Sequence, residues 1–342
     1  MPTSSRSSEP VSDGNNRRVR PRLTASICLA ICAVAVLAVA IFVALATQSG
    51  RRQPDPSGTV RYLGVYEPDA PSSYAGTAKF AQAIGRQPNL VLYYSAWLEP
   101  FQASFATSAT EHGATTLVQI DTEKVPLASI ASGQYDSYLK SYASAVKAFG
   151  APVILSFDHE MNGNWYPWGF QHSSPSDFVA AWRHVVNIFR EQGARNVTWM
   201  WTVNVFNSYN LETHHIATPG PWWPGSSFVN WVGLDGYYVT SSTEFDSLFG
   251  QAIADVRAIT SDPILIAETG ATQSAGQSAK ITQIFQGVNT YNLLGFVLFD
   301  KDSPNKSYTW RITSPVVFAT LRRDARMDMA PPARTDPPGQ HQ

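Results

Sequence analysis

"ILSFDHEMNGNWYPWG" runs from Ile154 to Gly169. Its first part is strand-like: together with Val153, the residues Ile154, Leu155 and Phe157 form a short and almost continuous apolar run. Strands covered on both faces read this way, whereas a strand with one wet face alternates. The run then breaks into Asp158, His159 and Glu160, followed by Asn162, Asn164, Trp165, Tyr166 and Trp168. Acids, an imidazole, amides and aromatics collected at one end of a buried strand point to a cleft at that end. In a barrel of parallel strands, the carboxyl ends are where such clefts form.

Working outward, seven more runs have the same character: Tyr62–Tyr66, Leu90–Trp97, Thr116–Ile120, Val197–Val203, Trp231–Tyr238, Ile264–Ala267 and Leu293–Phe299. With Val153–Phe157 they make eight. Helical patterns lie between several of them. Gly133–Phe149 carries Tyr135, Leu139, Tyr142, Val146 and Phe149 at spacings of three and four. Ser176 is a candidate N-cap for a stripe of Phe178, Val179, Trp182, Val185, Val186 and Phe189, closed by Gly193. Asp246–Ile259 is a third such pattern. Strands alternating with helices predict the α/β class and a parallel sheet. The span is about 265 residues, close to the roughly 250 of a (β/α)8 TIM barrel. A doubly wound sheet is the alternative, and there is no internal repeat.

The 342 residues include 44% hydrophobic and only 15% charged side chains, enough apolar material for a large core. A formal net charge of −1 gives no reason to expect a nucleic-acid partner. Aromatics make up 12%, including ten Trp, all between Trp97 and Trp310. Part of that excess serves the core, and part is suited to flat ligands such as sugar rings.

The chain begins differently. Residues 1–22 are polar and carry Arg17, Arg18, Arg20 and Arg22, and Leu23 to Gly50 holds no charge. An apolar stretch of this length suits a transmembrane helix, which needs about 20 residues, better than a signal region of about 7–15. Ala44-Leu45-Ala46 nevertheless has the small-x-small form of a cleavage site, so secretion is the alternative. The arginines ahead of the span outweigh Arg51 and Arg52 beyond it, which places the N-terminus in the cytoplasm and the rest outside. The expected organisation is a basic segment at 1–22, an anchor or signal at 23–47, a linker at 48–58, a barrel at 59–322 and a Pro-rich disordered tail at 323–342. The only cysteines, Cys28 and Cys32, fall within the span, so the outer domain has neither a disulfide nor a thiol nucleophile. A monomer is expected.

The residues that follow each run sort the candidate chemistry. The third is followed by Asp121 and Glu123, the fourth by Asp158, His159 and Glu160, the fifth by Asn204 and Asn207. The sixth contains Asp235, Tyr237 and Tyr238, the seventh leads into Glu268, and the eighth into Asp300 and Asp302. Glu160 and Glu268 stand apart because each closes a buried apolar run and neither lies on a charged helix face. In a barrel, both would open onto one cleft. Two carboxyl groups there can divide the work of glycoside hydrolysis, one protonating the leaving oxygen and the other attacking the anomeric carbon or activating water. They must then differ in environment so that one stays protonated. Trp165 and Trp168 could offer ring faces to sugars. A metal is not expected: neighbouring strand residues at 158–160 point to opposite faces, and H-E-x-x-H fails because position 163 is Gly. No cofactor is expected either, since P-loop and dinucleotide fingerprints are lacking, as is the G-x-S-x-G elbow.

At these residues the sequence resembles glycoside hydrolase family 26, mainly β-mannanases. "HEMNGNWYPWG" (His159–Gly169) is similar to that family's acid/base motif, "PILIAETG" to its nucleophile strand, and "WVGLDGYY" (Trp231–Tyr238) to its sixth strand. "LGVYEPDAP", "LVLYYSAWLEPF" and the run from "GFVLFDKD" to "WRITSP" extend the likeness over about residues 60–320. The resemblance implies a (β/α)8 barrel with Glu160 as acid/base and Glu268 as nucleophile. It implies His159 in the sugar-binding shell, Trp165 under the leaving-group sugar, and Tyr237 donating a hydrogen bond to the nucleophile. Asn204, at the end of the fifth run, and Trp168, eight residues after Glu160, are further candidate substrate-binding residues by their positions alone. Two positions depart from the family: Ser156 stands where many members have arginine, and Phe299 and Asp300 where many have a tryptophan. The implied activity is a retaining endo-β-glycanase acting on β-mannan. Mixed-linkage β-glucan, β-1,3-xylan or a self-made exopolysaccharide are alternatives of the same chemistry, and a non-catalytic glycan-binding domain is the alternative of another class.

Overall fold

The computed structural model describes residues 62–206, 215–303 and 308–328. The segments 1–22, 23–47 and 48–58, and Asn207, lie outside the described residues. Among the described residues, no helix is long and apolar enough to cross a membrane.

Eight parallel strands close into a barrel in chain order: β1 (Tyr62–Tyr66), β2 (Leu90–Ala96), β3 (Thr115–Asp121), β4 (Val153–Phe157), β5 (Val197–Asn204), β6 (Trp231–Tyr238), β7 (Ile264–Ala271) and β8 (Gly295–Phe299). β8 returns to β1 with Tyr62 opposite Gly295 and Tyr66 opposite Phe299. This is the (β/α)8 class, and the doubly wound alternative falls. Inward-facing Leu90, Leu92, Leu117, Ile154, Met200, Leu265, Ala267 and Val297 fill the barrel. Outward-facing Val91, Tyr93, Leu155, Phe157, Trp201, Val203 and Leu234 pack in the larger cluster formed with the helices. Both faces are buried, which is why the runs read as continuous.

β7 breaks the alternation where it matters. Leu234 of β6 pairs with Ile266, but the next residue, Asp235, pairs with Glu268; on the other side, Ile266 to Thr269 spans only Phe296 to Leu298. β7 thus holds an extra residue. Strict alternation from Leu265 and Ala267 would turn Glu268 toward the helices. A bulge re-aims side chains, and Glu268 faces the barrel mouth, where two tyrosines reach it.

The helices are α1 (Ala75–Ile84), α2 (Ala103–Glu111), α3 (Leu127–Ala131), α4 (Asp136–Phe149), α5 (Pro175–Glu191), α6 (Gln251–Ile259), α7 (Gln277–Thr290) and α8 (Pro315–Asp328). Three expectations need correction. The N-cap of α5 is Ser174, not Ser176: its Oγ accepts from the Asp177 amide at 3.1 Å, and Pro175 takes the first helical position, where no N–H is needed. α6 follows a wider, π-helical turn over Asp246–Gly250. The barrel also does not end at residue 322. α8 runs on through Arg323 to Asp328, with Leu321, Asp324 and Ala325 buried, and Asp324 accepts from Thr282 of α7 at 2.8 Å.

Candidate active site

The chain leaves β4 through an unusual backbone. Asp158 (φ 50°) and Glu160 (φ 54°) both occupy the left-handed region, which side chains other than Gly rarely adopt. Asp158 is fully buried and anchors this turn: its carboxyl accepts from the Thr122 amide at 2.9 Å and from the Thr122 hydroxyl at 2.8 Å. The Asp158 amide donates to Ile120 and the Glu160 amide to Thr202, at 2.8 and 2.9 Å, so the turn is tied to both neighbouring strands. The three side chains at 158–160 diverge because of this turn and not through strand alternation, since β4 has already ended at Phe157. Among the described residues, no group of three His, Cys, Asp or Glu is arranged to hold a metal ion.

Glu160 is buried and accepts two hydrogen bonds, from Asn204 Nδ2 at 2.5 Å and from Trp165 Nε1 at 2.6 Å. Burial pushes its carboxyl up to about 7; the His159 charge and the two donors pull it down, and the Glu268 charge adds to the rise. Glu268 is held on both oxygens. Tyr94 of β2 donates to Oε1, and Tyr237 of β6 donates to Oε2 at 2.6 Å. Both phenols are pushed well above their ordinary range, first by burial and then by the Glu268 charge, so they remain protonated donors. Asp121 lies beside His159, whose Nδ1 is 3.0 Å from Asp121 Oδ1 and whose Nε2 is 3.2 Å from the Tyr166 hydroxyl. Burial alone would lower the imidazole; the charge and hydrogen bond of Asp121, then the charges of Glu268 and Glu160, outweigh it and hold it at about 9. Asp235 is enclosed, and the Glu268 backbone amide adjoins its carboxylate. Burial, then the charges of Glu268 and Glu160, push it well above the usual carboxylate range, and that amide partly offsets the rise.

The structure thus brings Glu160, Glu268, His159, Trp165, Tyr237 and Asn204 together. Trp165 is exposed at its ring while its N–H engages the acid. Trp168 plays another part than a sugar platform. It is buried, donates to the His159 carbonyl at 2.7 Å and stacks on Tyr166 with ring centres 4.5 Å apart, so it braces the loop from below. Asp300 turns away from the site: its Oδ1 accepts from the Ile312 amide at 2.8 Å, and its carboxyl adjoins Glu67. Ser156 is buried and 2.9 Å from the Thr202 hydroxyl. Sequence reasoning missed Tyr94 and Tyr166. For Tyr94 the phase of β2 was an available signal, since Leu90 and Leu92 face inward and Tyr94 continues that face.

A closed parallel barrel carrying two carboxyl groups in contrasting environments at its carboxyl-terminal mouth defines the glycoside hydrolase class of (β/α)8 proteins. Within it, this chain belongs to glycosyl hydrolase family 26, whose model matches residues 91–284. It is 30% identical over 277 residues, 76% of its length, to Endoglucanase H of Acetivibrio thermocellus, and 26% identical over 56% of its length to the β-1,3-xylanase TXYA of a Vibrio species. The chain spans 30% and 35% of those two relatives. The solved catalytic domain of a Bacillus sp. JAMB-750 endo-β-1,4-mannanase shares the fold with a TM-score of 0.63 at 15% identity, covering 82% of this chain and 90% of that one.

Proposed function

We propose that this barrel is a retaining endo-β-glycanase. Glu160, protonated, donates to the leaving glycosidic oxygen as Glu268 attacks the anomeric carbon. The bond to the leaving group breaks and a glycosyl ester forms. Glu160, now ionised, takes a proton from water as the water oxygen attacks the same carbon and releases Glu268. The observation that carries this reading is the contrast between the two carboxyl groups: Glu160 is buried and held up to about 7, while Glu268 receives a phenol on each oxygen. A proton on one and a charge on the other is the division of labour the reaction requires.

β-Mannan is the first substrate to try, as the family resemblance implies. A second reading, mixed-linkage β-glucan, is favoured by one observation: the relative similar over 76% of the chain is named an endoglucanase. Reducing ends released from β-mannan, mixed-linkage β-glucan and β-1,3-xylan, with the anomer of the first product read by NMR, test the proposal. Retained β configuration and loss of activity in Glu268→Ala are expected. An inverted product, or full activity in Glu268→Ala, overturns the mechanism, and glycan binding without hydrolysis leaves a binding domain. We further propose that the segment 23–47 anchors the chain in a membrane with the barrel outside. A mature N-terminus near Gln48, found by mass spectrometry, would replace anchoring with secretion.

A further inference from the structure

Among the described residues, the large apolar side chains left exposed include two aromatic rings, Trp165 and Tyr308, at 45% and 48%. They stand on opposite rims. Trp165 follows β4 and Tyr308 follows β8, and in a ring closed in chain order those two strands are diametrically opposed. Each ring is linked to a different catalytic group. Trp165 donates its N–H to Glu160, the acid. Tyr308 lies 6.2 Å from Trp310 with a 34° tilt, Trp310 lies 4.3 Å from Tyr237 with the same tilt, and Tyr237 donates to Glu268.

The arm that displays Tyr308 is braced. Asp302 and Thr309 form an antiparallel bridge. The Ser303 amide donates to the Tyr308 carbonyl at 2.8 Å, the Tyr308 amide to the Ser303 hydroxyl at 3.0 Å, and the Trp310 amide to the Lys301 carbonyl at 3.1 Å. Trp310 itself is buried, so the stack has an enclosed inner end and an open outer one. A ring held through its backbone and about half exposed is a poor core element and a good surface for a flat, partly apolar partner. The faces of β-linked hexopyranoses present C–H groups, which suit the negative face of an aromatic ring. A rigid aromatic side chain also loses little conformational freedom on contact.

The geometry points to Tyr308 as a stacking platform on the glycone side, for a sugar beyond the one that is cleaved. A β-linked chain then lies across the barrel mouth from the β4 rim to the β8 rim, with Trp165 under the leaving-group side. This inference rests on the function proposed above, and its test separates the two. The full chain and its Tyr308→Ala and Tyr308→Phe variants are assayed on β-1,4-linked manno- and gluco-oligosaccharides of two to six residues. In parallel, the same Tyr308 substitutions in a Glu268→Ala background are measured for retardation in gels containing β-mannan or β-glucan. In Tyr308→Ala, the ratio of kcat/KM between the longest and shortest hydrolysed substrates is expected to fall about threefold to tenfold, with Tyr308→Phe close to the parent. Gel retardation weakens in the same order. A length ratio and a retardation both unchanged in Tyr308→Ala overturn the platform while leaving the enzyme. No hydrolysis by the parent chain, with retardation still weakened by Tyr308→Ala, overturns the enzyme and upholds the platform.

Discussion

Replacing Asn204 with alanine removes one of the two N–H donors that Glu160 accepts, leaving Trp165 on the other oxygen. Both donors favour the ionised carboxylate, so losing one makes Glu160 hold its proton to higher pH. A hydrogen bond to a charged group contributes about 1.5–3 kcal/mol, and one pH unit corresponds to about 1.4 kcal/mol. Asn204 is half-buried at a cleft, so water replaces part of what is lost and the lower end applies. In the parent enzyme the alkaline limb of kcat/KM is expected to fall through about pH 7, as Glu160 gives up the proton that the leaving group needs. In Asn204→Ala that limb is expected to move upward by about one pH unit. Asn204→Asp, which adds a negative charge, is expected to move it at least as far. His159 keeps its charge up to about pH 9, so its own titration lies above the limb being read. The assay is kcat/KM against pH on the natural polysaccharide, since an aryl glycoside with an activated leaving group bypasses the acid. A limb that stays in place or moves downward in Asn204→Ala would refute the assignment of Glu160 as the titrating acid.

Tyr94→Phe and Tyr237→Phe each strip one oxygen of Glu268 of its donor, and each is expected to lower kcat/KM by about tenfold to a hundredfold. An effect of Tyr94→Phe within twofold would show that its hydroxyl is dispensable. Glu67, buried beside Asp300, is pushed up to about 8 by burial and then by the Asp300 charge. The folded protein therefore keeps a proton that the unfolded chain releases near 4.5, and stability is withdrawn as pH rises from about 4.5 to 8. Glu67→Gln is expected to gain stability relative to the parent at pH 8 compared with pH 4 in urea titrations, and an equal difference at both pH values would contradict this. Leu321→Ala, at a fully buried position of α8, is expected to cost about 2–5 kcal/mol by chemical denaturation. A loss under about 0.5 kcal/mol would mean that α8 is not part of the cooperative barrel.

The barrel was legible because its staves are covered on both sides. Tyr62–Tyr66, Val153–Phe157 and Trp231–Tyr238 read as strands to the residue, and the other five differ only at their ends. Glu160 and Glu268 were legible for a different reason: acids that close two separate buried runs are brought to one mouth when the strands form a barrel, whereas Asp158, directly abutting the β4 run, serves the turn instead. What stayed hidden depended on backbone detail that residue types encode weakly. Tyr93 and Tyr94 are identical in type, and only the phase of β2 sends one to the helices and the other to Glu268. The extra residue in β7 leaves no mark in "ILIAETG", yet it turns Glu268 toward the mouth. Trp165 and Trp168 also look alike in sequence. The turn at Gly163 and Gly169 is so tight that a β-carbon on Gly163 would sit 2.2 Å from the Trp165 ring, and one on Gly169 would sit 2.2 Å from the Gly163 carbonyl oxygen. That fold-back leaves one indole facing out and the other enclosed.

The left-handed backbone at Asp158 and Glu160 has a consequence for anyone engineering this barrel. A conformation that L-residues disfavour costs about 1–2 kcal/mol at each such position, which glycine would relieve. A selection for melting temperature alone would therefore be drawn toward position 160, where glycine relaxes the turn and deletes the carboxyl group proposed as the acid. At position 158 the same substitution would release the Thr122 clamp. Thermal robustness and turnover thus compete at position 160, and a stabilised variant of this chain should be screened by rate before it is ranked by melting point.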